Sequence, residues 1–467
     1  MLWFWMVWFW MVWFWGRYDL PDPQGVSTVA ELKEAAMTTQ VTLAVEPARR
    51  RQLVTGSVGH LVEYFDWSAY SFLAIYFAGQ FFPGDTGSIV PLLATFVVFA
   101  VGFVTRPVGA VLLGRMADRY GRRLALTVGV AMMGVGSLMI GLAPTYDQVG
   151  VLAPIVLVVA RLIQGLSTGG ELAAASAFLM ESAPGGRRGV YTSLTNVSSS
   201  LGKVLCLGAI TLLVSQVGAD AMADWAWRVP FLLGAVAALV AWWIRRRALE
   251  TYRPERTNGE SGDNGASLAF AEVFTDHRSA LWRGFVLASV SAAMFYTWST
   301  YAPTWAVITA GLGKERAVAI STIAFVFYGI VQIPLGLLSD RIGRRPMMFT
   351  FFAANIVFTV PLFAAMSANA TTMLVIQCVG MGFTAILMSV AAAMLGEMFP
   401  ARIRVLATGI AFSFATALFG GTIPAIGTAL HNAGVDVAFP LYLVALNLVA
   451  LALTYRLPET AHAPLSR

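Results

Sequence analysis

The chain has 467 residues, of which 58% are hydrophobic and 12% charged, with a formal net charge of +6 and a mean hydropathy of +0.71. Soluble domains carry roughly 25% charged residues, so this composition excludes a soluble globular protein and describes one that lives in a bilayer. The positive balance does not point to nucleic acid, because the basic residues fall in short clusters between apolar runs rather than along one face.

The first fifteen residues, "MLWFWMVWFWMVWFW", repeat a five-residue unit three times. As a helix they would reach only about 22 Å, and they lack the basic region and small-residue cleavage site of a signal peptide. Residues 1–36 are therefore expected to be a non-native or disordered extension, with Met37 beginning the functional protein. Twelve apolar windows of spanning length follow, centred near Tyr64, Val101, Gly134, Ile163, Leu201, Val236, Phe295, Phe327, Val357, Met381, Phe414 and Ala445. Basic clusters occupy every second connection: Arg49 to Arg51, Arg115 to Arg123, Arg187 with Arg188, Arg245 to Arg247, Arg341 to Arg345, and Arg402 with Arg404. The alternate connections hold Asp85, Asp147, Asp220 with Asp224, and Asp436. The positive-inside rule then places both termini in the cytoplasm, which requires an even number of spans.

Between the sixth and seventh windows, "ETYRPERTNGESGDNGAS" from Glu250 to Ser267 cannot bury a core and reads as a flexible linker. The expected organisation is a six-helix half over 37–248, a cytoplasmic linker over 249–280 and a second six-helix half over 281–467. The halves repeat each other. "GRMADRYGRR" from Gly114 and "GLLSDRIGRR" from Gly336 stand 222 residues apart, pairing Asp118 with Asp340 and Gly121 with Gly343. Glu181 in "ESAP" and Glu397 in "EMFP" pair at an offset of 216. In each loop Gly permits a tight turn, Asp can cap the next helix or pair with Arg, and the Arg row stays at the inner surface. Gly114, Asp118, Arg119, Gly121, Arg122, Asp340, Arg341, Gly343, Arg344, Glu181 and Glu397 are accordingly the candidate gating residues. Duplicated units that meet at a midplane site are a transporter architecture.

Charges inside spans face a cavity or a partner. The first half holds Glu63, Asp66 and Glu171 against Arg106, Arg161 and Lys203, whereas the second has essentially none at depth before Glu397 at a helix end. At the repeat offsets Arg161 is answered by Gln377 and Arg106 by Tyr328. His60, Glu63, Asp66 and Tyr70 share one helical stripe, which cannot face lipid. Glu63 and Asp66 either neutralise Arg106 and Arg161 and lock the bundle, or one of them is a buried acid that loads a proton. His60, nearer the span end, reads as a polar core residue. Arg106 and Arg161 suit bidentate binding of a carboxylate and Lys203 offers a point charge; the plainer alternative is that each pairs with one of the acids. Asn196 and Gln332 add polar groups within the spans. Tyr296, Trp298 and Tyr301 in "FYTWSTY" serve either as packing or as a wall around a small anion. "GLSTG", Gly165 to Gly169, matches the serine-hydrolase elbow but lies in a transmembrane run where small residues serve helix packing. Cys206 and Cys378, one per half, offer neither a disulfide framework nor a metal site.

With "EYFDWSAY", "TRPVGAVLLGRMADRYGRR", "ARLIQGLSTGGE", "ESAPGGRRG", "WRVPF" and "GEMFPARIR" in view, the chain from about Gly56 to the last span resembles the metabolite:proton symporter family of the major facilitator superfamily. "FDWSAYSF", "FYTWSTY" and "ALFGG" are similar to that family's α-ketoglutarate permeases; Lys203 departs from the uncharged polar residue they carry nearby. The resemblance implies an all-α membrane protein of twelve helices in two pseudo-symmetric halves, in the inner cell membrane, without cofactor, metal or enzymatic activity. It implies proton-coupled import of a small carboxylate such as α-ketoglutarate, with Asp66, Glu63 and Glu171 coupling protons. Arg106, Lys203, Arg161, Tyr70, Asn196, Tyr296, Trp298, Tyr301 and Gln332 would bind cargo. Lipid is the expected surroundings, with no nucleic acid and no obligate protein partner. The alternatives are a symporter of a zwitterionic solute such as betaine or proline and, from another class, an intramembrane serine protease using Ser167 with His60.

Overall fold

A computed structural model describes residues 58–84, 88–120, 122–169, 176, 179–180, 183, 186–246 and 272–461. The expected start at Met37, the extension over 1–36 and most of the linker over 249–280 lie outside the described residues. So do Glu171, Gly121 and Glu181, together with the side chains of Asp118, Arg119 and Arg122.

Helical spans account for every apolar window, since in hydrocarbon only a helix satisfies its own backbone groups. In chain order α1 covers 58–81; α2 is Val90–Val104 continued past Thr105 by Arg106–Tyr120; α3 is Arg122–Gly141 and α4 Leu152–Thr168. Helix α5 covers Arg188–Ala226 and α6 Arg228–Arg246. Helix α7 is Arg278–Tyr296, a π turn Thr297–Tyr301 and Ala302–Ile308. Helices α8 (Lys314–Ile342), α9 (Arg344–Ala364) and α10 (Ala370–Glu397) follow. Helix α11 is Ala401–Ala415, a π turn Thr416–Gly420 and Ile423–Asn432, and α12 is Ala438–Thr454.

Local sequence explains the interruptions. Pro107 lacks an N–H and its ring crowds the preceding turn, so α2 bends at Thr105 and Arg106 stands at the break. Each π turn, including Met222–Ala226 in α5, is followed within four residues by a proline: Pro230, Pro303 and Pro424. That is the expected place for a helix to absorb a lost hydrogen bond. Gly343 adopts φ +101° between α8 and α9, a conformation that favours glycine at this sharp turn.

The first six spans and the last six meet along two seams, α5 against α8 and α2 against α11. Small residues set the first seam. A Cβ on Gly336 would come within 3.0 Å of the Gly189 carbonyl, and one on Gly329 within 3.1 Å of Ser200. Without a strong hydrophobic driving force between helices in lipid, such close backbone approach and dispersion hold helices together. The second seam is aromatic: a Cβ on Gly420 would fall 2.9 Å from the Tyr296 ring and one on Gly421 2.7 Å from the Phe103 ring. The two glycines of "ALFGG" thus let two rings into the bundle axis, one on each side of the seam.

Candidate functional site

A narrow central cavity lies between the seams. It is bordered by Glu63, Tyr64 and Arg106 from the first two spans, Asn196 and Lys203 from α5, Phe295 and Tyr296 from α7, and Met388 from α10. Toward the Arg-rich end it continues past Met180, Arg404 and Thr408. Its walls therefore come from both repeats: Glu63, Arg106 and Lys203 are charged groups of the first, and Arg404 is one of the second.

Two guanidinium groups share one indole. The Arg106 Cζ lies 4.2 Å and the Arg161 Cζ 3.9 Å from the centroid of Trp67. Arg106 also rests 4.0 Å from the Phe103 ring, and Arg161 4.5 Å from the Tyr70 ring. Trp67 is fixed by donating its Nε1–H to Thr168 Oγ1 at 3.2 Å. Cation–π attraction is strongest where water is excluded, so this ring holds two like charges apart from solvent without neutralising either. Arg106 borders the cavity. Arg161 is fully buried behind it, donating to Gln164 Oε1 at 2.8 Å.

Asp66 sits beside Arg161, not in the cavity. Its Oδ1 accepts a hydrogen bond from Ser137 Oγ, while Oδ2 stands 4.0 Å from Arg161 Nη1 and makes no hydrogen bond. Gln164 bridges the pair by also donating to Ser137 at 3.4 Å. Ser137 and Gln164 were not singled out in the sequence; Gln164, a lone amide in an apolar run, carried the only available signal. Glu63 faces the cavity, and its ion-pair partner among the described residues is His60 at 3.6 Å.

Lys203 is 5% exposed, and its Nζ lies 4.3 Å from the Tyr64 ring, 4.2 Å from Phe295 and 5.1 Å from Phe325. Asn196 borders the cavity too but spends its amide on the Met388 carbonyl at 2.7 Å, tying α5 to α10. Tyr70 is sealed away, donating to the Thr95 carbonyl at 3.1 Å. Trp298 and Tyr301 turn into the second repeat. Trp298 packs on Phe363 with ring centroids 5.3 Å apart and over Gly380, and Tyr301 packs on Phe439 at 4.5 Å and over Gly427. Two and five residues beyond Tyr296, they stand on a different face of the helix from it, as helical spacing requires. Gln332 is fully buried and its amide makes no hydrogen bond.

At the Arg-rich end the repeats are latched. Asp340 on α8 accepts from the backbone N–H of Gly189 at 2.8 Å and of Val190 at 3.0 Å, at the first turn of α5. Arg344 donates to Asp340 at 2.9 Å, to Ser339 at 2.7 Å and to Glu397 at 3.3 Å, and Arg188 reaches the same Glu397 oxygen at 3.3 Å. Behind this, Glu459 accepts from the backbone N–H groups of Arg344 and Arg345 at 2.8 and 3.0 Å, and Thr460 donates to Glu397 at 2.6 Å. Arg341 is exposed at this end.

"GLSTG" serves packing. A Cβ on Gly165 would fall 1.9 Å from the Gly102 carbonyl, and one on Gly169 1.9 Å from the Arg106 carbonyl. Ser167 donates to the Gly129 carbonyl at 2.6 Å rather than to a base.

The sequence profile of the Major Facilitator Superfamily matches residues 56–326 and 317–467. The alpha-ketoglutarate permease of Escherichia coli (strain K12) is 36% identical over 433 residues, covering 91% of this chain and 98% of that protein. The proline/betaine transporter of the same strain is 30% identical, covering 91% and 86%. The citrate-proton symporter of Salmonella typhi is 32% identical, covering 84% and 91%. Among solved structures, a proton:xylose symporter bound to 6-bromo-6-deoxy-D-glucose superposes with a TM-score of 0.71 at 17% identity, covering 89% of this chain and 97% of that one; it attests the fold. The twelve-helix, two-repeat architecture, the repeated loop motif of the sequence and these likenesses together establish that the chain belongs to the major facilitator superfamily and is a membrane transporter rather than an enzyme.

Proposed function

We propose that the protein is a proton-coupled importer of a small carboxylate, with a dicarboxylate such as α-ketoglutarate as its cargo. The observation that carries this reading is the convergence of Arg106 and Lys203 on one cavity, where Phe295, Tyr296 and Met388 of the other repeat are uncharged. A guanidinium and an ammonium can each take one carboxylate end, the first through paired N–H donors and the second as a point charge. The alpha-ketoglutarate permease at 36% identity supports this cargo.

Asp66 is the proposed proton site. Its Oδ2 has no hydrogen bond and lies at the edge of ion-pair distance from Arg161, so protonation there leaves the Ser137 bond to Oδ1 intact. Glu63, on the cavity wall, is the second candidate, and Glu171 is a third by sequence. An unpaired charge at depth costs several kcal/mol, so the repeats exchange access only when acids and bases are neutralised by one another, by a proton or by cargo. The Arg-rich end is assigned to the cytoplasm of the inner membrane, with both termini there.

The cavity also carries an acid, Glu63, beside its bases. This favours one second reading, a zwitterion such as betaine or proline, in keeping with the 30% identical relative. Uptake by proteoliposomes of labelled mono-, di- and tricarboxylates and of betaine, with and without an imposed pH difference, separates the two. Dicarboxylate uptake stimulated by an acid exterior is expected; uptake of betaine alone would overturn the carboxylate reading.

A further inference from the structure

Lys203 is a cavity cation whose surroundings come from both repeats. Tyr64 belongs to α1, whereas Phe295 and Phe325 belong to α7 and α8. The ammonium has three N–H donors and among the described residues donates no hydrogen bond; three ring faces surround it, and Glu63 on the same cavity wall attracts it electrostatically. Its helix is pinned on both sides. A Cβ on Gly202 would fall 2.3 Å from the Leu61 carbonyl of α1, and Ser200 lies under Gly329 of α8. The lysine thus emerges where α1, α5, α7 and α8 converge, and its charge reaches across the seam.

We propose that Lys203 is a cation latch between the repeats, held by the cage of Tyr64, Phe295 and Phe325 when the cavity is empty and released when a cargo carboxylate takes the ammonium. Phe295 and Phe325 are then positioning residues. They act on cargo through Lys203, and they compete with it. An anion removes the ammonium from the rings by offering it a full charge and hydrogen-bond acceptors, which ring quadrupoles cannot match. Because two of the rings ride on the second repeat, cargo binding and loosening of the seam become one event. The cage also gives a reason for two phenylalanines in this wall, where polar side chains would serve cargo directly. This rests on the carboxylate reading above.

The test is the sign of an affinity change. Phe325→Leu and Phe295→Leu keep apolar bulk and remove the π face. With α-ketoglutarate as the probe, equilibrium binding to the purified variants is expected to tighten by about two- to thirtyfold per ring, the range of a single desolvated cation–π contact. A side chain that merely lines the site would weaken binding when cut back. In parallel, spin labels at Ser215 on α5 and Glu315 on α8 should report a broader inter-repeat distance in the cargo-free variants, and Lys203→Met should broaden it equally. Unchanged or weaker binding in both leucine variants overturns the latch. Lys203→Met separates the two ideas: if it leaves α-ketoglutarate binding unchanged, the carboxylate reading itself fails, whereas loss of binding there with no tightening in the leucine variants sinks the latch alone. A folding defect is recognised by loss of the thermal transition, and Phe325→Met then replaces Phe325→Leu.

Discussion

Replacing Asp340 with Ala should open the Arg-rich end of the transporter without unfolding it. The carboxylate accepts two backbone N–H groups at the first turn of α5, a helix of the other repeat, at 2.8 and 3.0 Å. Losing such a cap costs about 1–2 kcal/mol, and losing a negative charge at a helix N-terminus about 0.3–1 kcal/mol more. The large penalty for an orphaned buried charge does not apply, because Arg344 keeps Ser339 at 2.7 Å and Glu397 at 3.3 Å. The loss is therefore about 1.3–3 kcal/mol, which shifts the balance between closed and open ends by roughly 9- to 150-fold. It falls on that balance and not on the fold, since donor and acceptor sit in different repeats. Spin labels at Arg187 and Arg341, both exposed at this end, read the distance distribution by pulsed dipolar spectroscopy. A longer-distance population should grow in Asp340→Ala and recover partly in Asp340→Asn, whose amide oxygen can still accept one N–H. An unchanged distribution, or an equal loss of thermal stability in both variants, would refute the assignment of Asp340 as an inter-repeat latch.

Three further outcomes are expected. Asp66→Asn mimics permanent protonation, so labelled cargo should still exchange between equal pools while uphill uptake under a pH difference disappears; loss of both would make Asp66 a structural counter-ion of Arg161, and retention of both would move the proton to Glu63 or Glu171. Gly165→Leu puts a side chain where the Gly102 carbonyl already lies 1.9 Å from a built Cβ, so the variant should lose its cooperative thermal transition in detergent, and a melting temperature equal to the parent's would show α2 and α4 to be less tightly packed. Burial pushes the Glu459 carboxyl up, but the backbone N–H groups of Arg344, Ala461, Arg345 and Thr460 outweigh it and hold the group below its usual range. Such an acid contributes stability that is present above its unfolded pKa of about 4.3 and is lost as pH falls through the lower folded value. Exchange protection of the Arg344 and Arg345 amides should therefore fall only in strong acid in the parent and be weak throughout in Glu459→Gln; protection equal in the two proteins would remove Glu459 from that role.

The spans and the repeat were legible because each is written in a period or an offset. Twelve apolar windows fall on twelve helices, and the matching "DR-x-G-RR" loops locate Asp340 and Gly343 at the turn where the structure has its latch. Side-chain direction was less legible. Tyr296, Trp298 and Tyr301 share one segment, "FYTWSTY", yet Tyr296 borders the cavity while Trp298 and Tyr301 pack within the second repeat. Their spacings of two and five residues put them on a different face from Tyr296, but do not tell which face meets the cavity. Phe295 and Phe325 carried no signal, because a phenylalanine in an apolar run has the same sequence pattern whether it meets lipid, core or a lysine. Thr460, beyond the last span, gave no hint that it reaches Glu397.

The asymmetry of charge follows from the same geometry. At the place of Arg161 the second repeat has Gln377, fully buried, donating to Ser321 at 3.0 Å and to the Trp298 carbonyl at 3.3 Å. The amide thereby ties α10 to α8 and to the π turn of α7 with no charge to neutralise. At the place of Arg106 stands Tyr328, buried against Phe295 and Phe325. At these two places the second repeat therefore keeps the architecture of the first with neutral side chains. Around the centre of the cavity the charged groups Glu63, Arg106 and Lys203 belong to α1, α2 and α5 and are met by the neutral Phe295, Tyr296 and Met388. Two charged repeats would each need neutralising before either could move, so that a single proton or anion would leave a buried charge unpaired. In the proposed mechanism, one charged and one neutral set of side chains at this level let proton and cargo together decide when the seams may part.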